Sequence, residues 1–138
     1  MRYARRTEVP VSRSRAQIES LVESYGADQF GSALDATSKR AMVQFRVASW
    51  LVRFVLPLDV DTDQKARQRW RALYLVIKAK LEAVESNIAT IEEEFLAHVV
   101  TPDGRTFGEW AVPQIREAKK RGELPANIMG ALEDRRGK

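Results

Sequence analysis

Residues 40–57 read RAMVQFRVASWLVRFVLP, two runs of alternating side chains separated by Ala48 and Ser49. Alternation with a period of two is typical of β-strands, because successive side chains point to opposite faces of the sheet. A hairpin that turns at Ala48-Ser49 pairs apolar residues along one face: Val47 with Trp50, Phe45 with Val52, Val43 with Phe54, and Ala41 with Leu56. A slip of one residue would scramble these pairs, so the sequence predicts this register. Ala-Ser is not a favoured two-residue turn, which leaves a longer loop open.

The other face of the predicted hairpin carries arginines among apolar side chains. It pairs Arg46 with Leu51, Gln44 with Arg53, and Met42 with Val55. Arg46 and Arg53 would lie diagonally across this face, about 7 Å apart, which suits two phosphates or one phosphate and a stacked base. The alternative is a solvated face whose charges prevent edge-to-edge aggregation. A fully solvated face would expose less apolar surface, so we expect a helix, a partner or a ligand to cover part of it.

A long amphipathic helix is predicted at about residues 62–85. Its apolar residues recur at helical spacing and define a core stripe: Trp70, Leu73, Tyr74, Ile77, Leu81 and Val84. Basic residues occupy both flanks of this stripe, with Arg67, Arg71 and Lys78 on one flank and Arg69 and Lys80 on the other. These cations can contact an anionic partner, or they can lay their stems over the edge of the core and do nothing more.

Capping patterns locate the remaining helices. The spacing of a capping box marks three helix starts: Ser14 with Gln17, Thr90 with Glu93, and Thr106 with Glu109. Gly26 can adopt the left-handed conformation that ends the first helix. Residues 28–34 have the composition of a short strand, and residues 35–39 that of a turn.

These elements predict an α+β fold: a small antiparallel sheet of about three strands packed with the long central helix and two to three further helices. The single domain is predicted to cover residues 12–122. Residues 1–11 are predicted to form an irregular basic arm, because Pro10 disfavours a helix there. Residues 123–138 are predicted to form a weakly structured tail.

Composition and charge narrow the classes of function. The chain has 138 residues and no cysteine, which excludes disulfides, thiolate metal sites and cysteine nucleophiles. Its net charge is +4. The charge is uneven, because residues 1–80 carry 15 Lys and Arg against 8 Asp and Glu, whereas residues 81–138 carry 8 against 11. This balance fits either ordinary surface charge or a basic half that faces an anionic partner.

The candidate binding residues are the cations of the hairpin and the long helix together with one tryptophan: Arg40, Arg46, Arg53, Arg67, Arg71, Lys78 and Trp50. Trp50 is placed at the hairpin turn, where partial exposure would let it stack on a base. His98 follows Glu94 by one helical turn, but two ligands are too few for a metal site. The sequence has no glycine-rich phosphate loop and no catalytic pairing of a nucleophile with a base or of two carboxylates. We therefore expect no enzymatic activity, no metal and no cofactor.

Four segments of the sequence resemble segments of a known protein family: QRWRAL at 68–73, VIKAKLEAVE at 76–85, EEEFLAHV at 92–99 and PDGRT at 102–106. Together with Val9-Pro10-Val11, Ser14-Arg15 and Tyr25-Gly26-Ala27, they are similar to a family of small proteins encoded by bacteriophages and prophages. The resemblance covers roughly residues 3–116, and the tail after Lys119 lies outside it. It implies a setting, the cytoplasm of an infected or lysogenic bacterium, and it implies no particular catalytic or binding residues.

Two functions follow as expectations. The first is a non-enzymatic protein that binds nucleic acid or a nucleoprotein through the basic hairpin and helix. The alternative is a counter-defence protein, an anti-CRISPR-like inhibitor or a nucleotide-signal sponge, which blocks a bacterial immune effector with the same arginines. Both place the protein in the cytoplasm of the host cell, and no apolar run approaches the roughly 20 residues of a membrane span. The sequence leaves the partner and the oligomeric state open, a homodimer included.

Overall fold

The computed structural model describes residues 2–130, with side chains from Arg13 onwards. The elements follow in chain order: α1 (Arg2–Ser24), β1 (Gln29–Asp35), β2 (Arg40–Val47), β3 (Trp50–Pro57), α2 (Asp63–Glu85), α3 (Ile91–Glu94), one 3₁₀ turn (Leu96–His98) and α4 (Phe107–Lys120). The three strands form one antiparallel sheet in the order β1-β2-β3. The predicted α+β class, with a long helix after the sheet, is confirmed.

The hairpin of β2 and β3 has the predicted register. Each apolar pair of the inner face is observed: Val47 with Trp50, Phe45 with Val52, Val43 with Phe54, and Ala41 with Leu56. The connection is a two-residue turn in which Ala48 (φ 50°) and Ser49 (φ 68°) are both left-handed. The longer loop left open by the sequence is therefore absent from this hairpin. The apolar pairs keep the register, although left-handed backbone costs about 1–2 kcal/mol for each residue with a Cβ.

The core lies between the inner face of the sheet and helices α1 and α2. Its largest fully buried side chains come from every one of these elements and from the start of the 3₁₀ segment: Trp70, Phe45, Phe95, Ile18, Ile77, Leu81, Val22, Val43 and Val52. The two helices run in the same direction. Arg13 of α1 shares a groove with Tyr74 of α2, while Tyr25 lies beside Glu82 and Glu85 further along α2, where burial and these carboxylates raise its pKa.

Helix α1 begins earlier than the sequence predicts. Residues 1–11 were expected to be an irregular arm with a capped helix start at Ser14, but the helix runs from Arg2 to Ser24 and includes Pro10. The expectation is wrong because one proline removes a single backbone donor and bends a helix without forbidding it. The predicted helix end is confirmed, since Gly26 adopts a φ of 98°.

The second half of the chain begins helices where the capping patterns predict them. Thr90 and Glu93 form a capping box at the start of α3, and Thr106 and Glu109 form one at the start of α4. Pro113 lies inside α4 without ending it. Of the predicted tail, residues 123–130 are exposed, and residues 131–138 lie outside the part of the chain that the structure describes.

The segment after the 3₁₀ turn covers the outer edge of β3. Val99 forms an antiparallel bridge with Val52, and the Val100 amide donates to the Leu51 carbonyl at 2.9 Å. This pairing protects one sheet edge from intermolecular strand pairing. No helix among the described residues is long and apolar enough to cross a membrane.

Candidate nucleic-acid interface

Arg46 is bound to a carboxylate of its own chain. Its Nε and Nη2 atoms donate to the two carboxylate oxygens of Asp28 at 2.9 and 2.6 Å. The guanidinium hydrogen bonds lower the pKa of Asp28 and the same contact raises the pKa of Arg46. This bidentate geometry is the one in which arginine binds anions most strongly. Arg46 therefore anchors the start of β1, and a phosphate would have to displace Asp28.

Arg53 holds the turn at residues 101–105, which is distant in sequence, against the outer face of the sheet. Its Nε donates to Gln44 Oε1 at 2.7 Å, and its Nη1 donates to the Gly104 carbonyl at 2.8 Å. The turn is ordered by Asp103, whose carboxylate accepts from the Thr101 hydroxyl at 2.5 Å and from the Arg105 amide at 3.1 Å. These hydrogen bonds lower the pKa of Asp103 to about 2. The expected cover of the arginine face is thus supplied in part by the chain itself.

A cleft of about 370 Å³ remains on the outer face of the sheet, beside the first turn of α4. Its lining residues are Ala33, Leu34, Asp35, Arg40, Ala41, Met42, Arg53, Val55 and Glu109. Two guanidinium groups and two carboxylates face it, so their formal charges cancel. The cleft therefore has no excess of positive charge among its lining residues.

Two cations of α2 also bind groups of the same chain. Arg69 donates to the Pro57 carbonyl at 2.7 Å and to the Asp59 carboxylate at 3.3 Å. Lys80 donates to the Glu94 carbonyl at 3.1 Å and lies 3.5 Å from the same residue's carboxylate. These contacts join α2 to the end of β3 and to α3. The cations Arg69 and Lys80 on this flank therefore stabilise the packing of α2 against its neighbours.

The opposite flank of α2 presents cations to solvent. Arg67, Arg71 and Lys78 are exposed, and none of them has a partner among the ion pairs of residues 13–130. We call these three residues the α2 basic flank. They span eleven positions, or about 17 Å along the helix axis. The Arg71 guanidinium lies 5.2 Å from the centre of the Tyr74 ring.

A shallow groove between α1 and α2 adjoins the α2 basic flank. Its lining residues are Arg13, Ala16, Gln17, Ser20, Leu21 and Tyr74. Arg13 therefore adds a fourth cation, from a second helix, on the same side of the molecule. Sequence reasoning did not single out Arg13, because its proximity to Tyr74 depends on how the two helices pack.

The tryptophan chosen as a base-stacking candidate lies away from these arginines. Trp50 is 38% exposed at the hairpin turn, as expected. Trp50 and Pro57 lie at opposite ends of β3, seven residues or about 23 Å apart. Pro57 contacts Arg69 near the start of α2. Trp70 is buried. The structure thus brings together Arg67, Arg71 and Lys78 of the predicted site, and separates Trp50 from Arg67 and Arg71.

The side chain of His98 packs against other side chains of the fold. Its ring stacks on Phe54 with a centroid distance of 4.0 Å, and burial, with a smaller contribution from Lys80, lowers its pKa. Glu94, the residue one helical turn away, contacts Lys80 instead. Within residues 13–130, no group of three or more His, Asp or Glu side chains could hold a metal ion.

Comparison of the chain with protein-family models, with curated proteins and with solved structures finds no match.

Proposed function

We propose that the protein binds nucleic acid through the α2 basic flank, with its cations contacting backbone phosphates. The observation that carries the proposal is the contrast between two sets of cations. Arg46, Arg69 and Lys80 are held by carboxylates of the same chain. The α2 basic flank has no such partners within residues 13–130.

The spacing of the flank suits a polyanion better than a single small anion. Arg67 and Arg71 are one helical turn apart, about 6 Å, and Lys78 lies about 10 Å further along the axis. A row of cations of this length neutralises several phosphates at once, and release of their counterions drives binding. Arg13, across the groove from Tyr74, widens the positive surface beyond one helix.

The test is a titration of a short labelled nucleic acid at about 50 to about 200 mM salt. The triple variant Arg67→Gln, Arg71→Gln, Lys78→Gln is expected to weaken binding about 30-fold, because it removes three phosphate contacts. It is also expected to reduce the slope of log affinity against log salt by about 3, since each phosphate contact contributes about 0.9. Fluorescence anisotropy measures both quantities.

A matched control changes the same net charge elsewhere. Arg116, Lys119 and Lys120 are exposed on α4 and have no partner among the described ion pairs. Their triple glutamine variant should retain about a third or more of the affinity, because only the general electrostatic attraction is reduced. Equal losses in the two triple variants would show only a response to net charge, and the assignment of the flank would be wrong.

A second candidate function, a counter-defence inhibitor, is favoured by a different surface. Helix α4 has no fully buried residue, and Trp110 and Ile115 are 50% and 57% exposed. Exposed apolar side chains of this size suit a protein partner rather than phosphates. If the protein inhibits cleavage by a purified RNA-guided nuclease, the double variant Trp110→Ser, Ile115→Ser should abolish inhibition. The α2 triple variant should then still inhibit, and the opposite pattern would exclude this surface.

A further inference from the structure

Strand β1 lies at an edge of the sheet that no other strand covers within residues 13–130. The order of the strands is β1-β2-β3, and the bridge between Val99 and Val52 lies at the opposite edge, along β3. We call the side of β1 away from β2 the open edge. Unpaired backbone amides and carbonyls on such an edge can form a ladder with a strand of another chain.

The turn of the β2–β3 hairpin shows which residues of β2 direct their backbone groups toward β1. Val47 and Trp50 flank the two-residue turn, and the pair that closes such a turn exchanges both backbone hydrogen bonds. The next residue of β2, Arg46, therefore directs its amide and carbonyl to β1. This assignment agrees with the hydrogen bond that the Arg46 carbonyl accepts from the Asp28 amide at 3.0 Å.

The same alternation identifies the residues of β1 whose backbone groups point to the open edge. Gln29, Gly31 and Ala33 pair with the positions of β2 that direct their groups to β1. The amides and carbonyls of the residues after each of these point the other way. These residues are Phe30, Ser32 and Leu34. Among the described residues, none of their backbone groups has a hydrogen-bond partner outside the sheet.

The open edge lacks the features that usually prevent strand pairing. Residues 30–34 read FGSAL, with no charged residue and no proline, and residues 29–35 pair with β2 without a bulge. Charges, prolines and bulges are the means by which natural proteins protect an exposed edge. Leu34 pairs with Ala41 on the inner face of the sheet but is 49% exposed. An apolar side chain at this edge is therefore left half uncovered.

Helix α1 leaves a groove beside the open edge. The groove has a volume of about 330 Å³, and its lining residues are Arg15, Ala16, Glu19, Phe30, Gly31 and Ser32. Arg15 donates to the Ser32 hydroxyl at 3.2 Å. The two charged residues of the lining have opposite signs, so this surface has no net charge that would repel a second copy of itself.

We infer that two copies of the chain pair through β1, antiparallel, with a two-fold axis at Ser32. A two-fold contact brings a surface against its own copy, so the surface must be complementary to itself. Phe30 would then oppose Leu34 of the second copy on the inner face, and Gly31 would oppose Ala33 on the outer face. Each Leu34 gains an aromatic neighbour, and no like charges oppose each other along residues 30–34.

The direction of the backbone groups fits this register. Residue pairs 30 with 34, 32 with 32 and 34 with 30 each join residues that point to the open edge, so they exchange about six hydrogen bonds in total. The two three-stranded sheets would form one continuous sheet of six strands. This dimer does not depend on nucleic-acid binding by the α2 basic flank.

The first test measures self-association by analytical ultracentrifugation over about 1–100 μM protein, where we expect the wild type to dimerise. Ser32→Pro removes an amide that faces the open edge and keeps the ladder with β2, since proline is tolerated at such positions. It is expected to raise the Kd of the dimer about 30-fold or more, because two intermolecular hydrogen bonds are lost. Ser32→Ala removes only the hydroxyl that accepts from Arg15 and should dimerise like the wild type.

A second variant tests the same contact without a change of backbone. Leu34→Lys replaces the apolar side chain that opposes Phe30 and is expected to weaken the dimer about tenfold or more, because the contact occurs twice. Val55→Lys is the matched control, since it adds the same charge at a strand residue that is 47% exposed on β3. It should leave the Kd within about twofold of the wild type. Should Ser32→Pro lower the melting temperature, Leu34→Lys decides the result.

The register has a readout of its own because the chain has no cysteine. In the inferred dimer, residues 31 and 33 of the two copies are opposed with Cα atoms about 4.5 Å apart, which suits a disulfide. A Cβ at residue 31 meets nothing within 4 Å. Under oxidation, a mixture of Gly31→Cys and Ala33→Cys should form the mixed disulfide faster than either variant alone forms its own.

Three results would overturn the inference. A wild-type protein that stays monomeric would exclude the dimer, and the open edge would then be left to a strand of a different protein. Dimerisation that persists in Ser32→Pro and Leu34→Lys would place the contact elsewhere on the molecule. Equal losses in Leu34→Lys and Val55→Lys, or mixed disulfides no faster than like ones, would contradict pairing through β1 in this register.

Discussion

Phe45→Ala is expected to lower the free energy of unfolding by about 3–5 kcal/mol. Phe45 lies on the central strand β2 and is fully buried. Its ring stacks on Phe54 at 6.4 Å and meets the edge of Phe95 at 5.8 Å. Truncation to alanine removes contacts with the sheet and with the segment that follows α2. The cavity lies at the centre of the core, where the surrounding elements relax least.

Chemical denaturation followed by circular dichroism measures this loss. Val55→Ala is the control, since Val55 lies on β3, on the opposite face of the same sheet, and is 47% exposed. It should cost less than about 1 kcal/mol. If Phe45→Ala cost no more than Val55→Ala, the buried position of the inner hairpin face would be contradicted.

Gly108→Ala is expected to destabilise the protein by about 1–3 kcal/mol and to loosen α4 from the 3₁₀ turn. A Cβ atom at residue 108 would lie 2.8 Å from the Ala97 carbonyl oxygen and 3.2 Å from the Ala97 Cβ. The nearest atom belongs to backbone, so it cannot rotate away as a long side chain would. Alanine otherwise favours a helix over glycine, so a loss of stability would come from this contact.

Amide hydrogen exchange resolves where the loss occurs. Amides of α4 should exchange faster in Gly108→Ala, while those of the core strands should change only with global stability. Gly31→Ala serves as the matched control, because a Cβ there would meet nothing within 4 Å. Unchanged protection of α4 in Gly108→Ala would mean that α4 does not depend on close approach to Ala97.

The elements with strong periodicity could be predicted because their patterns are local. The apolar alternation of residues 40–57 predicts the register of the hairpin, and all of its inner pairs are observed. The stripe from Trp70 to Leu81 predicts α2, which extends from Asp63 to Glu85. Capping boxes predict the starts of α3 and α4. In each case the signal lies within a few residues of the structure that it specifies.

Predictions were wrong or incomplete where contacts between residues distant in sequence outweighed a local sequence signal. Pro10 argued for an irregular arm, yet α1 continues through it. Ser14 with Gln17 has the spacing of a helix start but lies inside a helix. The sequence could not show which group covers the arginine face, because the carbonyl that accepts from Arg53 belongs to Gly104, 51 residues away.

The same distinction applies to the candidate interface. Helical spacing alone places Arg67, Arg71 and Lys78 on one flank and Arg69 and Lys80 on the other, because side-chain direction follows from position along a helix. Only the tertiary structure decides which of these cations keep their charge free for a partner. Arg46 is bound by Asp28 and Lys80 by Glu94, and such pairs form between elements that are distant in sequence. The sequence by itself determined the strands, the long helix and the direction of its basic side chains. The packing of those elements determined which arginines serve the fold and which face solvent.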